Sequence, residues 1–224
     1  MSSKVTEVQL ASTLNNATPR GTLFVVSSPS GGGKGTIIRH VLEVVENLSY
    51  SVSFTTRAPR LGEVDGREYF FVSRETFEEM TAAGEFLEWA CVHGNFYGTS
   101  RRQVAEETSS GKDIILEVDV QGAASVRQLL MDTVSIFILP PSYEVLRQRL
   151  LARGTDSPEE LELRLRTAPL ELSQYSLFDY VIINDEIDNA MDQLASIIRA
   201  ERARCMRRDS LVREVIEKFI HERK

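Results

Sequence analysis

Four short apolar runs, separated by helical patterns, constrain the fold of this chain more than any other feature. They are TLFVVS (22–27), DIILEVD (113–119), VSIFILP (134–140) and YVIIN (180–184). Continuous β-branched runs of this length are typical of strands buried on both faces, as in a parallel sheet covered by helices. Stretches such as KGTIIRHVLEVVEN (34–47) place apolar residues at helical spacing between them. We therefore predict an α/β domain with a parallel sheet flanked by helices.

Charge and cysteine content exclude several classes of function. A net charge of −7 argues against general nucleic-acid binding. Cys91 and Cys205 match no metal-ligand spacing, and we expect both to be reduced and one or both to be buried, as suits a cytoplasmic protein. Residues 1–20 are polar and show no secretory signal, and no apolar run approaches a membrane span. We expect those residues to form a flexible tail.

The strongest local motif is the stretch FVVSSPSGGGKGTII (24–38). It departs twice from the phosphate-loop pattern G-x-x-x-x-G-K-[ST], with Ser28 at the first glycine and Gly35 at the hydroxyl position. A buried strand precedes it and an amphipathic helix follows, which is the context in which backbone N–H groups and a helix N-terminus bind phosphate. A glycine-rich turn into a helix is the alternative. The context favours a phosphate loop with Lys34 beside the β- and γ-phosphates.

The segment from residue 51 to residue 100 interrupts the α/β alternation with turn glycines, aromatic residues and arginines. TTRAPR supplies Arg57 and Arg60, which could clamp a second phosphate together with Tyr69, or could be a solvated basic loop. In EFLEW, Glu88 stands beside Trp89, and one carboxylate can accept both donors of a guanine edge. A surface Glu88 with a core Trp89 is the structural alternative.

Two further groups of charged residues could serve a phosphate site. Glu117 and Asp119 end an apolar run, where acids can hold hydrated Mg²⁺ or contact substrate. Arg149, Arg153 and Arg164 flank the turn around Gly154. They are either surface salt-bridging residues or parts of a mobile lid that closes over transferring phosphates.

Taken together, these motifs resemble those of guanylate kinases, in the same order and over about residues 21–200. The matching stretches are SSPSGGGKGT, SVSFTTRAPRLGEVDGREYFFVS, GEFLEWACVHGNFYGTS, ILEVDVQG, RLLARGTDSPEELELRL and FDYVIIND. The resemblance implies a P-loop-type core (21–50, 101–147 and 174–204), a GMP-binding subdomain (51–100) and a helical lid (148–173). A tail (1–20) and a C-terminal helical extension (205–224) lie outside these parts.

The resemblance also implies a role for each matched residue. The residues expected to wrap the phosphates of ATP are Ser28, Pro29, Ser30, Gly31, Gly32, Gly33, Lys34, Gly35 and Thr36, with Asn184 near the adenine. Those expected to bind the GMP phosphate are Arg57, Arg60, Tyr69 and Tyr97, and those expected to contact guanine are Ser53, Glu88, Thr99 and Asp119. Lys34, Arg57, Arg149, Arg153 and Arg164 are expected to act on the transferring group.

The resemblance further implies an enzyme that uses ATP and Mg²⁺ to phosphorylate GMP, and dGMP as well, in the cytoplasm. The chain would be a monomer or a homodimer, with neither nucleic acid nor membrane as a partner. Because Gly35 lacks a hydroxyl, Mg²⁺ would be held through water near Glu117 or Asp119. The rival interpretations are a guanylate-kinase-like protein-binding module, against which Lys34 and the glycines argue, and a kinase for another nucleoside monophosphate, against which Glu88 argues.

Overall fold

The computed structural model describes residues 20–92, 94–130, 132–154 and 157–222, except for the side chain of Arg153. Of the predicted tail, all but Arg20 lies outside the described residues. The strands are β1 (Leu23–Ser27), β2 (Leu48–Tyr50), β3 (Phe54–Thr55), β4 (Phe70–Phe71), β5 (Phe86–Val92), β6 (Asn95–Ser100), β7 (Asp113–Glu117), β8 (Thr133–Leu139) and β9 (Tyr180–Ile183). The helices are α1 (Lys34–Val44), α2 (Arg74–Ala82), α3 (Arg101–Ser109), α4 (Val120–Leu129), α5 (Tyr143–Arg153), α6 (Pro158–Leu172), α7 (Ile187–Arg202) and α8 (Asp209–His221), with 3₁₀ turns at Ser173–Leu177 and Cys205–Arg207.

The main sheet has five parallel strands in the order β2-β7-β1-β8-β9, which confirms the predicted fold class. Central strand β1 is buried along its whole length. Phe24 and Val26 belong to the core beneath α1 and α7, whereas Val25 belongs to the core of the opposite face. Burial on both faces explains why the strand is continuously apolar. All five strands end at one edge, where the loops that follow them come together.

The main sheet differs from the predicted one at its β2 edge. The helical pattern was expected to continue to Asn47, but α1 ends at Val44 and Asn47 adopts a left-handed φ of 55°. That turn starts β2, a strand that the apolar runs did not predict. Its three residues are only half-buried, so they leave little hydrophobic signal.

The interrupting segment forms a second sheet of four strands in the order β4-β3-β6-β5, with α2 alongside. Phe77 of α2 is buried and stacks on Phe86 and Phe96. Trp89 packs edge-on against Phe96 but remains 47% exposed, so it is not a core residue. Glu88, its neighbour on β5, is buried instead. β5 therefore turns its acid inward and its indole outward.

Helices α5 and α6 pack against each other as a pair. Gly154 ends α5 with a φ of 63°, a conformation that glycine adopts without strain. Ser157 caps α6, with Pro158 at its first turn and Glu160 completing a capping box. Leu146 and Leu150 of α5 pack on Ala168 of α6 in a small core of their own.

The C-terminal part of the chain forms two helices. α7 packs on the main sheet, whereas α8 has no buried residue and exposes a stripe of apolar side chains. Cys91 and Cys205 are both free and exposed, so the expectation that one or both are buried is wrong. Across the described ranges, no helix is long and apolar enough to cross a membrane.

Candidate functional site

The connection from β1 to α1 forms a tight loop of backbone N–H groups. Gly31 and Gly33 adopt φ values of 86° and 91°, which residues with a side chain rarely adopt. The Gly32 N–H donates to the Pro29 carbonyl at 2.9 Å. Helix α1 starts at Lys34 without a side-chain cap, so N–H groups of its first turn are left for a ligand. We refer to residues 28–35 as the phosphate loop.

Side chains from distant elements support the phosphate loop. Asn184, which follows β9 and is 1% exposed, donates from Nδ2 to the Gly32 carbonyl at 2.8 Å. Arg149 of α5 donates from Nη2 to the Asn184 carbonyl at 3.0 Å. A Cβ at Gly33 would lie 2.3 Å from Asn184 Nδ2, so only glycine fits there. Asn184 Oδ1 is buried with no hydrogen-bond partner in the described part of the chain, which leaves one acceptor for a ligand.

Lys34 lies between the phosphate loop and the end of β7. Its Nζ donates to the Val118 carbonyl at 3.0 Å and lies 3.8 Å from Glu117 Oε1. Glu117 in turn accepts a hydrogen bond from the Tyr50 hydroxyl at 3.1 Å. Burial and the nearby Glu117 carboxylate raise the pKa of Tyr50, so this phenol stays protonated and remains a donor.

Glu117 also faces the glycine that replaces the usual hydroxyl. A Cβ at Gly35 would lie 3.7 Å from both Glu117 oxygens, in ordinary contact. In the described ranges, no group of three or more His, Cys, Asp or Glu side chains could hold a metal ion. A single carboxylate beside a phosphate site nevertheless suits Mg²⁺, which keeps several waters and takes further oxygens from substrate phosphates.

Across the cleft, two arginines follow strand β3 of the second sheet, and aromatic rings lie beside one of them, Arg57. The Arg57 guanidinium lies 5.4 Å from the ring centroid of Tyr69 and 5.8 Å from that of Phe71. Tyr97 packs edge-on against Tyr69. Arg57, Arg60, Tyr69 and Tyr97 all line the cleft. The arrangement offers guanidinium and phenol donors to one anionic group.

Glu88 lies at the back of the same wall. Thr99 Oγ1 donates to Glu88 Oε1 at 2.5 Å, and Thr99 itself is fully buried behind the carboxylate. Burial raises the pKa of Glu88 to about 7, with the nearby Asp119 adding to the effect. Asp119 caps α4 by accepting the Gly122 N–H at 2.9 Å. A Cβ at Gly122 would lie 2.8 Å from Glu88 Oε2, so this glycine makes room for the acid.

Helix α6 contacts the phosphate loop at Ser30. Arg164 donates from Nη1 to the Ser30 hydroxyl, and Glu171 of the same helix lines the cleft with them. Burial raises the pKa of Glu171, so protonation of this carboxyl is easier than in solvent. In this structure the helix pair therefore lies against the loop.

These groups surround one open cleft of about 1110 Å³. It brings together all but two of the predicted site residues. Thr99 lies behind Glu88 and does not line the cleft, and the side chain of Arg153 is outside the described part of the structure. Other residues that no sequence motif indicated also line the cleft, among them Arg39 and Glu171. Arg39 was only a polar position in a helix, and Glu171 had the pattern of a surface acid.

Comparison with known proteins matches the chain to one family. The family model described as "Guanylate kinase" matches residues 20–201. A guanylate kinase of Symbiobacterium thermophilum is 51% identical over 201 residues, which are 89% of this chain and 95% of that protein. One from Dechloromonas aromatica is 51% identical over 180 residues, 80% of this chain and 89% of its own length. The crystal structure of guanylate kinase from Anaplasma phagocytophilum is 38% identical, with a TM-score of 0.72 over 84% of this chain and 90% of that one.

Proposed function

The chain belongs to the guanylate kinase family, whose members are nucleoside monophosphate kinases that phosphorylate GMP, and we propose that it transfers the γ-phosphoryl group of ATP to GMP in this cleft. One observation carries this assignment. A single cleft joins a phosphate loop with its lysine to a second anion site that has a buried carboxylate behind it. Two anion sites on one cavity suit a donor and an acceptor phosphate.

The ATP half is the phosphate loop with Lys34, Thr36 and the α1 N-terminus. Loop N–H groups and the helix dipole hold the phosphates, and Lys34 reaches the β- and γ-phosphates. Asn184 offers its unmet Oδ1 to the nucleotide. Arg149 and Arg164, with Arg153 as the third arginine of the lid, add positive charge around the transferring group.

The GMP half is the wall formed by the second sheet. Arg57, Arg60, Tyr69 and Tyr97 bind the phosphate, and Ser53 lines the cleft beside them. Glu88 accepts the N1–H and N2–H₂ donors of guanine, with Thr99 holding the carboxylate and Asp119 next to it. Adenine cannot present two donors on the matching edge. dGMP keeps every group used here and is an acceptor too.

We assign Mg²⁺ to the space between Gly35 and Glu117, with water between the ion and the protein. When bound, Mg²⁺ offsets negative charge on the ATP phosphates. Glu117 would orient its water shell, and the Tyr50 hydroxyl holds Glu117 in place. Glu117 also forms an ion pair with Lys34, whose Nζ lies 3.8 Å from its Oε1.

The residues that line the cleft can perform the transfer without a general base. The attacking GMP phosphate oxygen is already anionic, so no proton has to be removed from it. Arg57 and Arg60 hold the acceptor in line with the γ-phosphorus, and Lys34 with the lid arginines stabilises the charge of the transition state. Closure of the two walls excludes water, which would otherwise hydrolyse ATP. Two free, exposed cysteines suit a reducing compartment, which supports a cytoplasmic location.

A coupled assay of ADP release tests the assignment. With ATP as donor we expect turnover of GMP and dGMP and none of AMP, CMP or UMP above the ATPase background. Equal turnover of AMP would overturn the role of Glu88. No turnover of any monophosphate would overturn the proposed reaction.

A variant tests Lys34 separately. Lys34→Ala is expected to lower kcat by about 10²–10³-fold, because it removes a charge aimed at the transferring group, while GMP binding is retained. Lys112→Ala also removes one lysine charge, but from an exposed position directly before β7, and should leave kcat unchanged. Near-normal turnover by Lys34→Ala would remove Lys34 from the mechanism.

A further inference from the structure

One carboxylate, Glu63, holds both arginines of the acceptor wall. Its two oxygens each lie 2.9 Å from Arg57 Nη2. Its Oε2 also accepts the backbone N–H of Arg60 at 2.7 Å. The pair is well sheltered, with 13% of the Arg57 side chain and 16% of the Glu63 side chain exposed. No feature of the sequence singles out this glutamate from the other acids around it.

The rest of Arg57 is held as firmly. Nη1 donates to the Ala58 carbonyl at 2.7 Å, and the Tyr69 and Phe71 rings lie beside the guanidinium. Burial opposes the charge of Arg57, but the hydrogen bond with Glu63 and neighbouring groups more than offset it, so the pKa of Arg57 is raised. The guanidinium is therefore charged and oriented before any ligand arrives.

The position of Glu63 decides between two functions for it. A carboxylate that occupied the phosphate site would compete with the acceptor and would line the cleft. Arg57 and Arg60 line the cleft, but Glu63 does not. Glu63 binds Nη2 and the Ala58 carbonyl binds one hydrogen of Nη1, so the Nε–H and the second N–H of Nη1 are the Arg57 donors left for a phosphate.

We propose that Glu63 is a positioning residue that aligns Arg57 and Arg60 for the phosphate of the acceptor nucleotide. This rests on the proposed function, because it assumes that these arginines bind that phosphate. Glu63 orients Arg57 through its side chain and Arg60 through its backbone, so one carboxylate sets the spacing of two donors. Ordering both arginines in advance lowers the entropic cost of binding.

Glu63→Gln tests the proposal, since the amide keeps the size of the side chain but loses the charge. We expect the Kd of GMP, measured by calorimetry, to rise at least about tenfold, because a charge-assisted contact is lost and Arg57 becomes mobile. The Kd of ATP should stay within about twofold. Guanosine lacks the phosphate, so its binding, measured by ligand-observed NMR, should be equal in the two proteins.

Glu68→Gln is the matched control. Glu68 belongs to the same loop and carries the same charge, but it bonds Arg67 and the Val64 N–H instead of the acceptor arginines. We expect no change in GMP binding. Glu63→Asp, which keeps the charge but shortens the reach, should fall between Glu63→Gln and the natural chain and gives a second reading if the amide variant folds poorly.

The outcomes distinguish a failure of the positioning role of Glu63 from a failure of the proposed function. Unchanged or tighter GMP binding by Glu63→Gln would overturn the positioning role. A parallel loss of guanosine binding would also overturn it, since that indicates a general distortion of the wall. If the natural chain itself does not bind GMP, the proposed function fails instead.

Discussion

At the scale of single residues, the most informative side chain is Glu88. It is buried behind the cleft with one hydrogen bond from Thr99, and burial raises its pKa to about 7. Near neutral pH the free protein thus holds this acid part-protonated. Guanine needs the carboxylate, because both of its groups on that edge are donors.

The pH dependence of GMP binding should follow from this pKa. We expect the Kd of GMP to fall by up to about tenfold as pH rises from 6 to 8, and to level off above that, because ionised Glu88 accumulates. Calorimetry across this range checks it. The phosphate of GMP also titrates near pH 6, so Glu88→Gln serves as the control and should keep only that weaker dependence. Identical pH profiles would remove Glu88 from the guanine site.

The same shift affects stability in the opposite sense. The folded pKa of Glu88 is above its ordinary value of 4.5, so between these pH values the folded chain binds more protons than the unfolded chain. The contribution of Glu88 to the free energy of unfolding therefore falls as pH rises from about 4.5 to about 7. Tight recognition of guanine is obtained at some cost to folding.

At the scale of elements, helix α5 is the support of the phosphate loop. A Cβ at Gly31 would lie 2.9 Å from Leu150 and 3.0 Å from Leu146, so the helix touches the loop backbone. Leu150 is 2% exposed and also packs towards α6. Apolar side chains of α5 therefore pack against the backbone of the phosphate loop.

Leu150→Ala should disrupt the packing between α5 and the phosphate loop. We expect the free energy of unfolding to fall by about 2–5 kcal/mol, because the truncation leaves a cavity, and ATP binding to weaken more than GMP binding. Urea unfolding and calorimetry with each nucleotide provide the measurements. Leu151→Ala, its 49% exposed neighbour on the same helix, should cost under about 1 kcal/mol. Equal losses for the two variants would contradict the contact.

The sequence could predict those elements whose signal lies within a short window. Buried strands such as β1 and β8 are continuous apolar runs, and the capping box of α6 is local chemistry. β3 and β4 have two residues each, too few for a periodicity. The roles of Glu63 and Glu171 could not be recognised from the sequence. The partners of Glu63 depend on how the loop after β3 folds, and the place of Glu171 in the cleft depends on how α6 packs against the phosphate loop.

The resemblance supplied residue roles that spacing alone could not. Lys34 and the glycines were readable from the motif with its strand and helix. Asn184 was expected near adenine, and the structure shows that it also bonds the phosphate loop, 152 positions away in the chain. A contact between such distant positions leaves no pattern in a single sequence.

At the scale of the whole molecule, the last part of the described chain, residues 201–222, divides into an attached part and a free part. Glu201 is 1% exposed, bonds the Tyr180 hydroxyl and pairs with Arg204 at 3.1 Å. Beyond this anchor, α8 buries no residue. The family model also ends at residue 201.

Two truncations should therefore differ. Removal of residues 209–224 is expected to change Tm by less than about 4 °C, since no core contact is lost. Removal of residues 203–224 also takes away Arg204 and leaves Glu201 buried without that cation, so Tm should fall further. Scanning calorimetry of both truncated chains measures the two changes in Tm. A large drop for the shorter deletion would show that α8 contributes to stability.

The order of strands has a consequence for synthesis of the protein. β1 and the phosphate loop precede β7, β8 and β9 in the chain, yet β1 lies between β7 and β8, and Asn184 follows β9. The loop cannot gain these neighbours until the chain has been made as far as Asn184. Long-range strand pairings are slow steps of folding, and the phosphate loop has no folded neighbours until they form. Nucleotide would thus bind, and could stabilise, only a chain that has been made beyond Asn184.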